Sequence, residues 1–300
     1  MNKHIFFDNL TASIGAMVGG KKKFFAKRIQ SPTFEEQVAA VELELPSFFD
    51  EGIYELRAKT LVGDLDPAFR VAQWKGYEHP TIIYHHGNNE RPFDFKKSAK
   101  NTFYNIFLNT QKKLDTNIIV VRAPFHNCSL KQYQNFMVDL SNFTAMIATS
   151  VKLNEEIVNE IRRVSSEPIV TTGISLGCWV TNLHRGIFNS STAYAPLMAG
   201  TFLGELFIKS KYRKMTSDIA LDNPEEIRRI LNFDYVFRRR NSQNVFPLLS
   251  KYDQFIEYDE QKESYNGCLL KTIECGHVTG AINSKELRKH LFAVLKTVIR

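Results

Sequence analysis

The stretch TTGISLGCW, residues 171–179, places a serine between two glycines in the pattern G-x-S-x-G, formed by Gly173, Ser175 and Gly177. The segment PIVTTGI before the serine predicts a buried strand, and LGCWVTNLHR after it predicts a helix. A serine on a sharp strand-to-helix turn projects above the sheet edge, and small residues must flank it because the backbone crowds such a turn. The stretch therefore predicts that Ser175 is a nucleophile.

A serine hydroxyl is a weak nucleophile until a base removes its proton, and an acid must orient that base. Asp253 follows the predicted strand VFPLLSKY, and His277 follows the predicted strand LLKTIEC. We therefore expect Ser175, Asp253 and His277 to form a catalytic triad. Asp259 is the alternative acid, but it lies in a polar stretch beyond the strand end.

The other histidines fit the role of the base less well. His126 comes too early in the chain, and His184 lies in the helix that follows the turn. His290 is predicted on a charged face of the last helix. Two cysteines near the proposed site, Cys178 and Cys275, are expected to pack as small apolar side chains.

An attacked carbonyl oxygen becomes negatively charged and needs N–H donors aimed at it. The backbone N–H of Leu176 is one expected donor. The loop HHGNNERPFDF, residues 85–95, is expected to supply the other, because Gly87 permits a turn closed to other residues. We predict the Asn88 amide as this second donor and keep Asn89 as the alternative; both asparagines could also cap the next helix.

Apolar runs of strand length alternate with helix-period segments from about residue 80 onward. PTIIYHHG and NIIVVRAPF read as buried strands, whereas residues 95–113 and 130–164 read as helices. The last helix, residues 284–299, is predicted with Ser284 as its N-cap and with Leu287, Leu291 and Leu295 on one buried stripe. This alternation predicts the α/β class, with a mostly parallel central sheet flanked by helices.

Two regions depart from that alternation. VAAVELELPSF and YELRAKTLV alternate apolar and polar residues, which predicts antiparallel strands at one sheet edge. Residues 201–241 are expected to form an inserted helical cap, with ordinary peripheral helices as the alternative. We expect one domain over residues 1–300, in which residues 1–34 are an N-terminal extension.

The motifs strand–HHGNN, strand–GISLG–helix, strand–KYD and strand–CGH, taken in this order, resemble the α/β-hydrolase superfamily. The resemblance covers about residues 35–300 and implies a Ser/Asp/His hydrolase that acts through an acyl-enzyme. Carboxylic-ester or thioester hydrolysis of a small-molecule acyl substrate is the leading hypothesis, with no cofactor and no metal. Asn88 and Asn89 stand where some esterases and lipases carry a glycine triplet, so a lipase-type specificity is not implied. The alternatives are a serine peptidase or acyltransferase, a lipid-surface hydrolase, and a non-catalytic binding module.

Composition and charge restrict the remaining function classes. The chain is 43% hydrophobic and 24% charged, with a net charge of +7 and basic clusters at residues 21–23, 27–28 and 238–240. No nucleic-acid-binding signature accompanies these clusters, so we interpret them as solvated surface and expect no nucleic-acid partner. Residues 15–22, GAMVGGKK, lack the Ser or Thr and the preceding strand that a phosphate loop needs.

The N-terminal segment and the cysteines bear on location. Phe7, Leu10, Ile14 and Met17 share one face of a predicted helix that ends at Gly19-Gly20. This helix is expected to dock onto the protein itself, with weak association with an anionic membrane surface as the alternative. Four widely spaced cysteines, no secretory signal and no long apolar segment predict a cytoplasmic protein.

Overall fold

A mostly parallel sheet forms the centre of the computed structural model, which describes residues 2–19, 22–47, 49–96, 101–110 and 113–299. The strands of these residues are β1 (Gly52–Glu55), β2 (Ala58–Thr60), β3 (Gly63–Leu65), β4 (Ala68–Gln73), β5 (Thr81–His85), β6 (Asn117–Arg122), β7 (Ile169–Ile174), β8 (Ala193–Leu197), β9 (Leu248–Ser250) and β10 (Lys271–Ile273).

The strand order of the main sheet brings the predicted functional loops together. Within the described residues this sheet has eight strands in the order β1-β4-β6-β5-β7-β8-β9-β10. β1 and β4 run antiparallel to their neighbours, and all pairs from β6 to β10 are parallel. Because His85 at the end of β5 pairs with Gly173 near the end of β7, the loops after these strands leave the sheet side by side.

Helices cover both faces of the sheet, as predicted. The α-helices of the described residues are α1 (Lys3–Gly19), α2 (Phe34–Ala39), α3 (Leu130–Met137), α4 (Leu140–Arg162), α5 (Leu176–Ile187), α6 (Leu203–Ile208), α7 (Asp218–Leu221), α8 (Pro224–Leu231), α9 (Asp234–Arg238), α10 (Tyr258–Gln261), α11 (His277–Ala281) and α12 (Ser284–Val298). Shorter turns are a π-helix at Tyr104–Leu108 and 3₁₀-helices at Lys211–Met215, Ser242–Asn244 and Lys262–Tyr265. None of the described helices is both long and apolar enough to cross a bilayer.

Alternate residues of the central strands enter separate cores on the two faces. Ile83 and Ile119 pack with Ile157 of α4, whereas Ile82 and Ile118 pack with the α12 face. A strand buried on both sides needs apolar residues at nearly every position, which explains why these segments show no polar alternation. The predicted α/β class with a mostly parallel central sheet is thereby confirmed.

The prediction of a strand at residues 38–48 was wrong. Helix α2 occupies the start of this segment because Thr33 and Glu36 form a capping box, in which the Thr33 hydroxyl accepts from the Glu36 N–H at 3.3 Å and the Glu36 carboxylate accepts from the Thr33 N–H at 2.8 Å. After α2, a single bridge between Glu42 and Lys59 is the only strand-like pairing of the described residues up to 47. The antiparallel edge is formed by β1 and β4 instead.

Several helix boundaries also differ from the predictions. The stretch 130–164 is two helices rather than one, because the Asp139 side chain accepts from the Ser141 N–H and starts α4. In the predicted helix 95–113, the helical turn lies at Tyr104–Leu108, and residues 97–100 and 111–112 lie outside the described residues. Asn283, not Ser284, caps α12.

The segment 201–241 carries helices α6 to α9 between β8 and β9. Its buried side chains pack with residues of α4 and α5 in one apolar cluster. The residues of this segment in the cluster include Leu203, Phe207, Ile227, Ile230 and Phe233. Whether the segment acts as a cap over the site stays a prediction.

Candidate active site

The turn between β7 and α5 holds Ser175 in a strained conformation. The backbone angles of Ser175 are φ 54° and ψ −108°, in the positive-φ region that costs energy for any residue with a Cβ. A Cβ at Gly173 would overlap the backbone of Gly177, and a Cβ at Gly177 would overlap the backbone of His85. The two glycines of the motif are therefore required by close backbone approach. The strain is held by the surrounding sheet, since the Ser175 N–H donates to the Leu197 carbonyl at 3.0 Å.

The structure brings Ser175, His277 and Asp253 into one hydrogen-bonded line. Ser175 Oγ lies 3.1 Å from His277 Nε2, and His277 Nδ1 lies 2.7 Å from Asp253 Oδ2. Asp253 lies in the loop after β9, and His277 ends the loop after β10 as the first residue of α11. Because β9 and β10 are neighbouring parallel strands, these residues meet although they are 24 positions apart. Asp259, the alternative acid, has a side chain that is 88% exposed and pairs with Lys262.

Burial and charge set the protonation behaviour of this line. The Asp253 side chain is 1% exposed, and its second oxygen accepts the N–H groups of Phe255 and Ile256 at 2.9 and 2.8 Å. Burial raises the pKa of Asp253 above its ordinary value, against the opposing effect of His277. Burial alone would lower the pKa of His277, but the charge and hydrogen bond of Asp253, with a further contribution from Asp8, raise it above its ordinary value.

The loop after β5 presents an unused backbone donor. The N–H groups of Leu176 and Asn88 donate to no acceptor among the described residues. The Asn89 N–H, in contrast, donates to His126 Nε2 at 3.3 Å. Gly87 lies against the turn, since a Cβ there would be 3.6 Å from Ile174 Cγ2. Of the two asparagines, the structure therefore leaves Asn88 with the available N–H.

Side chains that sequence reasoning missed hold this loop in place. The Tyr133 hydroxyl donates to Asn88 Oδ1 at 2.7 Å. His126 is buried, and burial lowers its pKa to about 4, so it is neutral and its Nε2 can accept from Asn89. Glu90 binds the N–H of Thr102 at 2.9 Å, and burial raises the pKa of Glu90 to about 7. Glu90 is half-buried and stands within the HHGNNE stretch, but nothing in the local pattern indicates that its carboxylate is shielded from water.

A cavity lies beside the Asn88 loop. The residues that line it come from this loop and from the region after β6: Asn89, Glu90, Arg91, Phe125, His126, Cys128, Leu130 and Tyr133. Within the described part of the chain, no three His, Cys, Asp or Glu side chains converge in the way a metal site requires.

His184, His290 and the two cysteines near the site lie in buried environments. His184 is fully buried and pairs with Glu155 at 3.0 Å. The prediction that His290 lies on a charged face was wrong, because the ring is buried and its Nε2 lies 2.8 Å from the Phe246 carbonyl. Cys178 is buried, and burial raises the pKa of its thiol to about 12, so the thiol stays protonated and unreactive. Cys275 is likewise buried.

Helix α1 docks beside the site and contacts α11 and the 3₁₀-turn Lys211–Met215. Its buried residues include Asp8 and Ala12, whereas Phe6, Phe7 and Leu10 are 45%, 47% and 44% exposed. We call these three residues the exposed face of α1. Ile14 and Met17, which were predicted on the same face as Phe7 and Leu10, have side chains outside the described residues.

The cluster 238–240 makes specific contacts within the protein. Arg238 donates to the Glu263 carbonyl, Arg239 binds Glu35, and Arg240 donates to the Gly186 carbonyl at the end of α5.

Comparison with solved structures identifies the fold. An acylaminoacyl peptidase of Pyrococcus horikoshii aligns over 83% of this chain with a TM-score of 0.55 and 16% identity. An esterase of Pyrococcus furiosus aligns over 86% of this chain and 97% of its own, with a TM-score of 0.55 and 12% identity. Both have the same arrangement of sheet and helices. The chain has the α/β-hydrolase fold.

Other comparisons limit what the α/β-hydrolase fold says about this chain. Acetyl xylan esterase 1 from Thermoanaerobacterium sp. aligns over 87% of this chain and 90% of its own, with a TM-score of 0.53 and 13% identity. The chain spans less than half, 42%, of the peptidase from P. horikoshii. At the level of sequence, the chain matches no protein-family model and no curated protein. The likeness therefore establishes the fold and not the chemistry, because one fold hosts many reactions.

Proposed function

We propose that the protein is a serine hydrolase that cleaves a carboxylic ester or thioester through an acyl-enzyme. The observation that carries this proposal is the line from Ser175 Oγ through His277 to Asp253, with successive distances of 3.1 and 2.7 Å. A buried acid, an imidazole and a half-buried hydroxyl on a strained turn are the parts that nucleophilic acyl transfer needs. A structural role for Ser175 would not require its positive φ.

In the proposed first step, Ser175 Oγ attacks the acyl carbonyl and His277 Nε2 takes its proton. Asp253 keeps the proton of His277 on Nδ1, which leaves Nε2 free as the base, and its charge stabilises the imidazolium that forms. The tetrahedral intermediate then collapses, and His277 gives its proton to the leaving alcohol or thiol. Water, activated by the same histidine, attacks the acyl-Ser175 ester and releases the acid.

The negative charge of each tetrahedral intermediate is proposed to rest on the N–H groups of Leu176 and Asn88. Neither group donates within the described residues. Leu176 follows Ser175 directly, and Asn88 follows Gly87, which lies against Ile174 at the start of the turn. Tyr133, which binds the Asn88 side chain, keeps this donor in place before substrate arrives.

Amide substrates are a second candidate, favoured by the acylaminoacyl peptidases among the structural neighbours. The same triad serves ester, thioester and amide bonds, so the leaving group and the pocket decide between them. An acyltransferase would use the same intermediate but pass the acyl group to an alcohol or amine in preference to water. A lipid-surface hydrolase is favoured by the exposed face of α1, and its activity would rise once the substrate aggregates.

The test is turnover of matched substrates by the purified full chain. A panel of p-nitrophenyl esters, acyl thioesters and acyl-amino-acid p-nitroanilides, each from acetyl to decanoyl, would be assayed with wild type and Ser175→Ala. We expect ester or thioester turnover by wild type and loss of at least about 10³-fold in Ser175→Ala. Anilide turnover exceeding ester turnover would replace the esterase assignment with a peptidase one. Turnover at equal rates by both proteins would refute catalysis by Ser175, and no turnover by either protein would leave the binding module.

A further inference from the structure

A carboxylate from the first helix is buried between the two loops that carry the acid and the base. Asp8 of α1 is 0% exposed. Its Oδ2 accepts the N–H of His277 at 2.8 Å and the N–H of Gln254 at 3.1 Å, while Oδ1 accepts the N–H of Val278 at 3.0 Å. One side chain thus ties the backbone of His277 to the backbone of the residue that follows Asp253.

The sequence around His277 is adapted to this contact. A Cβ at Gly276 would lie 2.7 Å from Asp8 Oδ2 and 3.0 Å from the His4 carbonyl, so any larger residue would push α1 away. One turn before Asp8, His4 Nδ1 lies 2.8 Å from Thr279 Oγ1, which also accepts the Gly276 N–H at 2.9 Å. Two successive turns of α1 therefore form hydrogen bonds with the segment that contains the proposed base.

We propose that Asp8 is a positioning residue, which holds the loops of Asp253 and His277 in register with Ser175 and adds a fixed negative charge behind the base. This inference rests on the proposed function of the triad. Hydrogen bonds from N–H groups to a buried carboxylate are stronger than those between neutral groups, and their loss would leave three backbone donors unpaired. A displacement of about 1 Å at a catalytic group is enough to cost about a hundredfold in rate.

Electrostatics support the same role. The charged groups that act on His277 among the described residues are Asp253 and Asp8, and both raise its pKa. The imidazolium that forms while Ser175 attacks is favoured by the same two charges. Removing the charge of Asp8 should therefore lower the pKa of His277 as well as loosen the loop.

The first experiment reads His277 directly and does not depend on turnover. The pKa of His277 would be measured by NMR from the imidazole resonances, in a Ser175→Ala background, with and without Asp8→Asn. We expect Asp8→Asn to lower the pKa of His277 and to weaken or shift the downfield Nδ1–H resonance. Ser13→Ala is the matched control, since Ser13 is exposed on the same helix and, among the residues that the structure describes, its hydroxyl bonds to the Asn9 carbonyl and Lys214 alone.

The second experiment measures the reaction. For p-nitrophenyl acetate we expect Asp8→Asn to lower kcat by about tenfold to a hundredfold, with little change in KM, and to move the acidic limb of the pH profile to lower pH. Gly276→Ala should reproduce the loss of kcat by displacing α1, and it carries the test if Asp8→Asn does not fold. The double variant should be no worse than the more damaged single variant, because both changes break one contact.

The two experiments separate failure of this inference from failure of the proposed function. If Asp8→Asn and Gly276→Ala lower the melting temperature but leave kcat and the His277 pKa unchanged, Asp8 merely fastens α1 and the inference is wrong. If wild type turns over none of the substrates, the proposed function fails. The NMR measurement still decides in that case whether Asp8 controls His277.

Discussion

Replacing Asp253 by asparagine keeps the shape of the side chain but should move the proton of the neutral His277 ring from Nδ1 to Nε2. The two N–H groups of Phe255 and Ile256 hold one oxygen of Asp253, so the asparagine oxygen must take that place and its NH₂ must face His277 Nδ1. An NH₂ there donates to Nδ1, which forces the proton of the imidazole onto Nε2. In that tautomer Nε2 donates to Ser175 and cannot accept its proton.

The expected loss follows from that tautomer. The corresponding change in a serine protease triad lowers kcat by about 10⁴-fold with the geometry intact. The same factor here is about 5.4 kcal/mol of transition-state free energy. kcat would be measured with p-nitrophenyl acetate, and circular dichroism would confirm that Asp253→Asn is folded.

Asp259→Asn is the matched control for this variant. Its side chain is 88% exposed and forms a surface ion pair with Lys262, so we expect kcat within about twofold of wild type. If Asp253→Asn kept a tenth of the activity, or if Asp259→Asn lost as much as Asp253→Asn, the assignment of the acid would be wrong.

Three further predictions concern the turn, the base and the first helix. Gly177→Ala should lower the free energy of unfolding by about 1–3 kcal/mol in denaturant titration, because the added Cβ meets the backbone of His85. Gly52→Ala is the control and should cost far less, because the nearest atom to its added Cβ lies at 3.8 Å. Equal losses in the two variants would contradict the steric argument. Because the pKa of His277 is raised and the base must be neutral, kcat/KM should fall with acidification and reach half its maximum above about pH 6.5; a midpoint below that would contradict the raised pKa. Serine at all three positions of the exposed face of α1 should weaken sedimentation with phosphatidylserine vesicles about tenfold, and a wild type that binds none would end the membrane interpretation.

The meeting of Ser175, His277 and Asp253 in one hydrogen-bonded line could be predicted from the sequence because each of its parts is local. Ser175, Asp253 and His277 each follow a short apolar run, and parallel strands deliver the residues after their ends to one edge of the sheet. The order of the motifs along the chain, Ser175 before Asp253 before His277, then indicated which residue is the acid and which is the base. The same reasoning predicted the α/β class, since buried strands that alternate with helices can pack in few ways other than a parallel sheet covered by helices.

What the sequence did not reveal depends on contacts between distant segments. The partners of Asp8 lie 246, 269 and 270 residues away, and in the sequence Asp8 only interrupts an apolar run. The spacing of His4, Asp8 and Ala12, one helical turn apart, was the available sign of a polar and small face that packs. His290 was misplaced for the same reason, since the Phe246 carbonyl that satisfies it is 44 residues away.

The wrong strand at residues 38–48 had a different cause. Its alternation of apolar and polar residues was real, but helix α2, which begins after the Thr33–Glu36 capping box, extends to Ala39 and takes the first two residues of the segment.

The central claim is that Ser175 is an activated nucleophile, and covalent labelling tests it most directly. Intact mass would be recorded for wild type and Ser175→Ala after exposure to a fluorophosphonate, at a pH above the pKa of His277. We predict one adduct on wild type, mapped to the peptide that contains Ser175, and none on the variant. An unlabelled but folded wild type, or equal labelling of both proteins, would contradict the claim.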